Sequence, residues 1–341
     1  MRSRPTTRIV ATISALLVSL TGGVMAIAPS AANAASTTSV SVELDWVPNP
    51  DHVSLYYAQD KGFFTKAGLA VSLLVPSDVT DPIKLVGLNK VDLAISYESE
   101  MFYAQQEGLP VTAVSTVVPV PLNSLIVSPK EHVTALSQMK GKTVGVTGIP
   151  SDGAIYQMLL RTTHMTDKQI PSINVGANLV PSILSGRVDA IVGGYRNVEA
   201  IQIAQEMGVK PTVFPASSLG VPSYAELVLV ANRNRLKSDA AYAAAVKKFV
   251  GALSAGTSAA IANPNGTTTI MEHATQYTTK FLKVSVPYTL SLIKPAAGQK
   301  VGCMSETAWQ SFGNWMKSQG LITETPNAQD LTSDAYLPYS C

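Results

Sequence analysis

Soft-metal chemistry has little to work with in this chain. Two cysteines and four histidines in 341 residues, all far apart, leave no zinc or iron–sulfur spacing, and no metal is expected. Charge is also scarce: charged residues make up 14% of the chain and aromatics 6%, against 46% hydrophobic residues. That balance excludes disordered, collagen-like and coiled-coil proteins. Neither sign of charge is in surplus. Of the 25 Lys+Arg, three (Arg2, Arg4 and Arg8) sit in an N-terminal leader without an acidic residue, so the remainder very nearly balances the 23 Asp+Glu. Nucleic-acid binders carry a clustered basic footprint, and no nucleic-acid partner is expected here. The chain also lacks Gly-x-Gly-x-x-Gly, a P-loop, His-Glu-x-x-His and Gly-x-Ser-x-Gly, so no catalytic residue and no cofactor are assigned. Its length corresponds to about two domains.

What is present begins with an export signal. Residues 1–34 carry a basic start, an apolar core over 9–27, and Ala32-Asn33-Ala34 as a small–x–small cleavage pattern, which makes Ala35 the expected mature start. An uncleaved membrane anchor is the alternative, and Gly22, Gly23 and Pro29 weaken it. No cysteine lies near the cleavage pattern, so a lipid anchor is not supported. A periplasmic or secreted location follows. An oxidising compartment lets Cys303 and Cys341 join, pinning the C-terminal tail by about 3–4 kcal/mol in the chain-entropy model. Two free thiols are the alternative.

Hydrophobic patterning then alternates strand and helix, which argues for an α/β fold. Strands are expected at 40–44, 70–75 and 91–95. A helix capped by Asp51 runs from 52 to 60, and another capped by Asp81 runs to 88. The plan repeats with strands at 142–146, 173–175 and 188–192, a helix capped by Ser151 to about 161, and a helix over 179–184. The segments 88–95 and 185–192 align through Val91-Asp92 and Val188-Asp189. Apolar strands at 125–127 and 227–230 bracket the second unit and serve as crossing strands if it is inserted into the first. The expected organisation is a signal peptide over 1–34, then a first lobe begun by 38–122. A second lobe spans 123–225, and 226–341 returns to the first lobe with helices at the C-terminus. Polar loops are expected at 263–266 and near Gly298. A cleft between two such lobes is a preferred ligand site.

Polar and aromatic residues gather where the strands end. Asp45-Trp46-Val47-Pro48-Asn49 follows the first strand, Ser96-Tyr97-Glu98 the third, Gly148-Ile149-Pro150-Ser151-Asp152 the strand at 142–146, and Gly193-Gly194-Tyr195-Arg196-Asn197-Val198-Glu199 the strand at 188–192. Ligands of open parallel sheets bind outside the carboxyl ends of strands, so all four clusters point to the cleft. Trp, Tyr, Asn and Glu together suit a flat heteroaromatic bearing amino groups. A sulfonate- or nitrate-like anion needs Arg or free helix N-termini, and only Arg196 offers itself. Each residue also has an ordinary reading. Trp46, Tyr97 and Tyr195 can be packing residues, Glu98, Glu199 and Glu226 solvated or capping charges, and Asn49 a turn residue between prolines.

At these same clusters the chain resembles the exported substrate-binding proteins of bacterial transporters for pyrimidine precursors of thiamine, a family related to the eukaryotic thiamine-pyrimidine synthase. The matching stretches lie at 44–64 (LDWVPNPDHVSLYYAQDKGFF), 90–100, 139–146, 194–201 and 220–232. The resemblance implies a type II periplasmic-binding-protein fold with two crossing strands, closing by hinge motion. It further implies a monomer, an ABC-transporter permease as partner, and a formylaminopyrimidine or hydroxymethylpyrimidine as ligand. Trp46 would stack on or border the ring, Asn49 donate to it, Tyr195 form the other aromatic wall, Glu199 hold the aminopyrimidine edge, and Tyr224 close the pocket. Riboflavin, a sulfonate or nitrate, and a synthase-like activity are the alternatives. Three departures matter. Arg196 stands where the pyrimidine binders often have Trp, a change that could favour an acidic or phosphorylated ligand. Ser96-Tyr97-Glu98 replaces the lysine with which the synthases hold pyridoxal phosphate, and residues 219–224 lack their cysteine-rich run. The last two departures speak against an enzyme.

Overall fold

The computed structural model describes residues 37–341; the leader read at 1–34, and its cleavage before Ala35, lie outside them. Ten strands make two five-stranded sheets among the described residues. In chain order these are β1 (Thr38–Glu43), β2 (Leu69–Leu74), β3 (Leu93–Ser96), β4 (Val111–Val118), β5 (Asn123–Val127), β6 (Val144–Val146), β7 (Ser172–Asn174), β8 (Ala190–Tyr195), β9 (Thr212–Pro215) and β10 (Leu227–Asn232). The first sheet runs β2-β1-β3-β10-β4 and the second β7-β6-β8-β5-β9. In each, four strands run one way and a single strand that follows a crossover (β10 in the first sheet, β5 in the second) runs antiparallel between its neighbours. Two α/β lobes are thus joined by two chain crossings, 119–122 and 216–226.

The Val-Asp repeat has a structural cause. Asp92 accepts from the Ser41 N–H and hydroxyl, both at 2.9 Å, and from Arg235 at 2.8 Å, tying β3 to β1. Asp189 accepts from the Thr143 N–H at 2.7 Å and ties β8 to β6 in the same way. Strand β8 extends to Tyr195, so Gly193-Gly194-Tyr195 belongs to the strand instead of following it. The reason is its partner: antiparallel β5 pairs Asn123 with Tyr195 and Ser124 with Gly194.

Strands β4 and β9 have no counterpart in the sequence reading. All of β4 is buried although it is an edge strand, because the C-terminal tail covers it: Thr116 N–H donates to Gly302 O and Ser333 N–H to Ala113 O, both at 2.9 Å. Covering removes a free edge that would otherwise invite strand pairing. The tail is held in turn by the Cys303–Cys341 disulfide, with Cα atoms 5.8 Å apart, and by Tyr339, whose hydroxyl meets Ser254 Oγ at 2.6 Å.

Several local expectations are corrected. Asn49, not Asp51, caps the first turn, its Oδ1 accepting the Asp51 N–H at 2.8 Å. Asp81 stands at the N-cap of the helix Pro82–Gly87 without a side-chain bond to it. Ser151 lies inside the helix Pro150–Thr163, which begins on a proline suited to a first turn. Residues 263–266 are not a loop: Asn263 caps the helix Pro264–Ala274 by accepting from Gly266 N–H at 3.1 Å.

The larger core cluster packs the helices Val53–Asp60 and Ala240–Ala262 against the first sheet, with Phe64 stacked on Phe249 at 4.6 Å between centroids. Gly256 allows the close approach, since a Cβ there would lie 2.6 Å from Ala58 Cβ. No described helix is long and apolar enough to cross a membrane.

Candidate functional site

The carboxyl ends of β1, β3, β6 and β8 face one narrow pocket between the lobes, with about 20 Å³ of free space. Of the residues singled out from sequence, Trp46, Asn49, Tyr97, Ser151, Tyr195 and Glu199 line it. Glu98 and Tyr224 do not, because both serve the return crossover. Glu98 is buried and accepts the Ala225 N–H at 2.6 Å. Tyr224 stacks on Phe312 with centroids 5.0 Å apart and donates its hydroxyl to Glu226 at 3.1 Å. Arg196 is also absent from the lining, its guanidinium donating to the Pro121 carbonyl.

The first lobe contributes a wall whose polar groups are already paired. Asn49 N–H donates to His52 Nδ1 at 3.3 Å, which leaves the ring proton on Nε2, 2.8 Å from Asp45 Oδ1. The Tyr97 hydroxyl donates to Asp45 Oδ2 at 2.9 Å, so both Asp45 oxygens are occupied. Asn49 spends its Oδ1 on its own turn and one amide proton on Val47 O at 3.1 Å, leaving the second amide proton for a ligand. Trp46 is half-buried and packs against core clusters of both lobes.

The second lobe adds Thr147, Ile149, Asp152 and Gly193, none of them assigned to the site from sequence, although three fall inside the strand-end clusters. Thr147 donates to Asp152 Oδ2 and Asn123 Nδ2 to Asp152 Oδ1, the latter at 2.7 Å. Gly193 adopts φ +91° and a Cβ there would collide with Asp152, so this backbone position needs glycine. Glu199 Oε2 accepts the Tyr195 N–H at 2.7 Å. Asn123 opens β5 directly after the first crossover, and Glu226 ends the second. Glu226 Oε2 accepts the N–H groups of Leu122 and Asn123 at 2.6 and 2.9 Å, binding one crossover to the other. Glu226 lies in the 220–232 stretch of the family resemblance and reads from sequence as a solvated or capping charge, whereas Asn123 carries no sequence signal beyond polarity.

Four carboxylates (Asp45, Asp152, Glu199 and Glu226) line the pocket, and no Lys, Arg or His does. Burial raises three of them, Asp152 to about 6 and Glu199 and Glu226 to about 7, because desolvation disfavours the charged form. The hydroxyls of Tyr97 and Tyr195 are pushed well up by the same burial and remain neutral. The site is a nearly pure acceptor surface with aromatic borders, matched to flat molecules bearing N–H donors.

Contacts across the cleft flank the pocket. Ser151 N–H, at the start of a second-lobe helix, donates to Glu100 Oε1 of the first lobe at 2.9 Å. On the other flank Asn197 Nδ2 reaches Asp51 Oδ1 at 2.6 Å and Thr289 Oγ1 at 2.7 Å. Burial holds the Asp51 carboxyl well above the usual carboxylate range, and Asp51 Oδ2 and Asn197 Oδ1 have no hydrogen-bond partner among the described residues.

Two lobes, two crossings and an interlobe pocket define the periplasmic-binding-protein fold. Among solved structures the chain superposes on the alkanesulfonate-binding protein of Xanthomonas axonopodis pv. citri with TM-score 0.66 and 14% identity, covering 87% of this chain and 98% of that one. The nitrate-binding protein of Synechocystis gives TM-score 0.65 at 12% identity, over 88% of this chain and 87% of that one. The chain belongs to the NMT1/THI5-like family, whose profile matches residues 49–267. It is 38% identical over 226 residues to a protein of Haemophilus influenzae named for thiamine biosynthesis, covering 66% of this chain and 70% of that protein. It is 37% identical over 194 residues to the formylaminopyrimidine-binding protein of Halalkalibacterium halodurans, covering 57% of this chain and 58% of that protein. A synthase of hydroxymethylpyrimidine phosphate from Uromyces fabae is 26% identical over 85% of each chain.

Proposed function

We propose that the protein is an exported solute-binding protein that delivers a thiamine pyrimidine precursor, of the formylaminopyrimidine or hydroxymethylpyrimidine type, to the permease of an ABC importer. It acts as a monomer in the periplasm or outside the cell, with lobes dividing at residues 122/123 and 225/226. The observation that carries this reading is the pocket lining: Trp46 and Tyr195 beside four carboxylates and no cation. An aminopyrimidine offers a stacking face and N–H donors to that surface. A sulfonate or nitrate would meet carboxylates with no basic side chain to pair with, so the anion-binding relatives of the fold support the architecture and not the ligand. The relationship to pyrimidine synthases does not extend to a cofactor-holding lysine, since Ser96-Tyr97-Glu98 occupies that stretch.

A thermal-shift panel of aminopyrimidines, flavins, sulfonates and nitrate tests the reading. A ligand at about 100 times its dissociation constant stabilises the native state by about 2.7 kcal/mol. Aminopyrimidines are expected to shift the melting point and anions to leave it unmoved; the opposite pattern refutes the assignment. An imine band with pyridoxal phosphate, lost on mutating one lysine, would instead favour the synthase reading.

A further inference from the structure

Glu226 occupies an unusual place in this pocket. It immediately precedes β10 on the return crossover and is 3% exposed. Its Oε2 is held by three donors, the N–H groups of Leu122 and Asn123 on the other crossover and the hydroxyl of Tyr224. Among the described residues no donor meets its Oε1, and the residue lines the pocket. Glu226 cannot turn toward water without giving up all three bonds, so its open oxygen stays with the ligand.

The four lining carboxylates therefore divide into two kinds. Asp45 and Asp152 have both oxygens paired within the protein. Glu199 and Glu226 each have one oxygen anchored to backbone and one that no other described residue reaches. A single ring amino group can answer Glu199. Glu226 needs a second donor; burial raises its carboxyl to about 7, so a cation beside it draws it into the ionised form and gains a charge pair that a neutral donor does not provide. The only arginine of the strand-end clusters, Arg196, is turned to the Pro121 carbonyl and compensates nothing in the pocket.

We propose that Glu226 makes the pocket selective for an aminopyrimidine carrying a second, positively charged amino group on its side arm, in preference to the same ring with a neutral arm. The inference rests on the aminopyrimidine ring of the reading above and departs from it in the side arm, since the formylated and hydroxymethyl arms named there are both neutral. The ammonium pairs with Glu226 Oε1 while the ring amino group pairs with Glu199. Because Glu226 also ties the two crossovers together, the same ion pair connects ligand charge to the segments about which the lobes move.

Titration calorimetry of the mature protein with three probes decides the matter: one aminopyrimidine ring bearing an aminomethyl, a hydroxymethyl or a formylaminomethyl arm. The aminomethyl compound is expected to bind at least about tenfold more tightly than either neutral one, the scale of a charge-assisted hydrogen bond. This comparison needs no variant. Glu226→Gln, which keeps an oxygen for the crossover donors, should narrow the ratio to within about threefold, chiefly by weakening the aminomethyl compound. Equal or tighter binding of a neutral arm to the wild type, or a ratio untouched in a folded Glu226→Gln protein, overturns the charge preference alone. Failure of all three to bind overturns the pyrimidine reading and this inference with it.

Discussion

Asp92 and Asp189 hold equivalent places in the two lobes and do equivalent work, each accepting an N–H from the neighbouring strand, at 2.9 and 2.7 Å. The residues that follow at the ends of the same strands do not match. Tyr97 donates to Asp45 inside a closed first-lobe network, whereas Tyr195 turns its N–H to Glu199 and leaves that carboxylate an oxygen for the pocket. The two sheets thus share the interactions that hold strands together and differ where the strands end at the pocket. One lobe supplies a wall paired within itself apart from one Asn49 amide proton; the other, with the crossovers, supplies acceptors that still need a donor.

Separating stability from binding is the strongest way to sharpen that contrast. Cys341→Ser frees the tail that covers β4, none of whose residues line the pocket. Closing a loop of 38 residues is worth about 3–4 kcal/mol in the chain-entropy model, so denaturant unfolding should show a loss of that size. Ligand affinity measured on the same sample should stay as it was; a comparable loss of affinity would mean the tail and the pocket are one unit.

Next in size is a pair of substitutions that set wall against acceptor. Trp46→Ala removes an aromatic surface shared by both lobes and should weaken any flat ligand by about 2–3 kcal/mol, as for a buried aromatic anchor. Glu199→Gln should cost about 1–3 kcal/mol and only for ligands that donate to it. A flavin and an aminopyrimidine, titrated into each variant, tell the two apart. Equal losses for both ligands in Glu199→Gln would erase the distinction between the lobes.

The smallest effect is on pH. Glu100, Glu199 and Glu226 are raised from 4.5 to about 7, and Asp152 from 3.8 to about 6, by burial. Between the ordinary and the raised values the folded protein binds more protons than the unfolded chain, so stability falls as pH rises through that window. The melting temperature of the unliganded protein should therefore decline from about pH 5 to about pH 8. A bound ligand that donates to the carboxylates should flatten the decline. A melting temperature that rises across this range would show that the acids are solvated and the pocket open.

Much of this architecture was readable before any coordinates. The helix at 179–184 falls where its apolar spacing put it, and the Val-Asp segments mark β3 and β8, because both signals are local and periodic. Strand β4 escaped notice because its burial comes from a tail more than 180 residues away, as in the Thr116–Gly302 bond. Asn263 reads as a loop residue in the sequence because a capping asparagine and a turn asparagine look alike without the helix that follows.

The sequence by itself determined the alternation of strands and helices, the doubling of the plan, and the gathering of aromatic and acidic residues at strand ends, all of which follow from residue type and short-range spacing. Only the tertiary structure decided which of those side chains face the pocket. Glu98 and Tyr224 went to the crossover, Arg196 to a backbone carbonyl, and Glu226 into the pocket. Its partners Leu122 and Asn123 lie 104 and 103 residues away, and bonds of that range are set by how the two crossings pack, which no local pattern encodes.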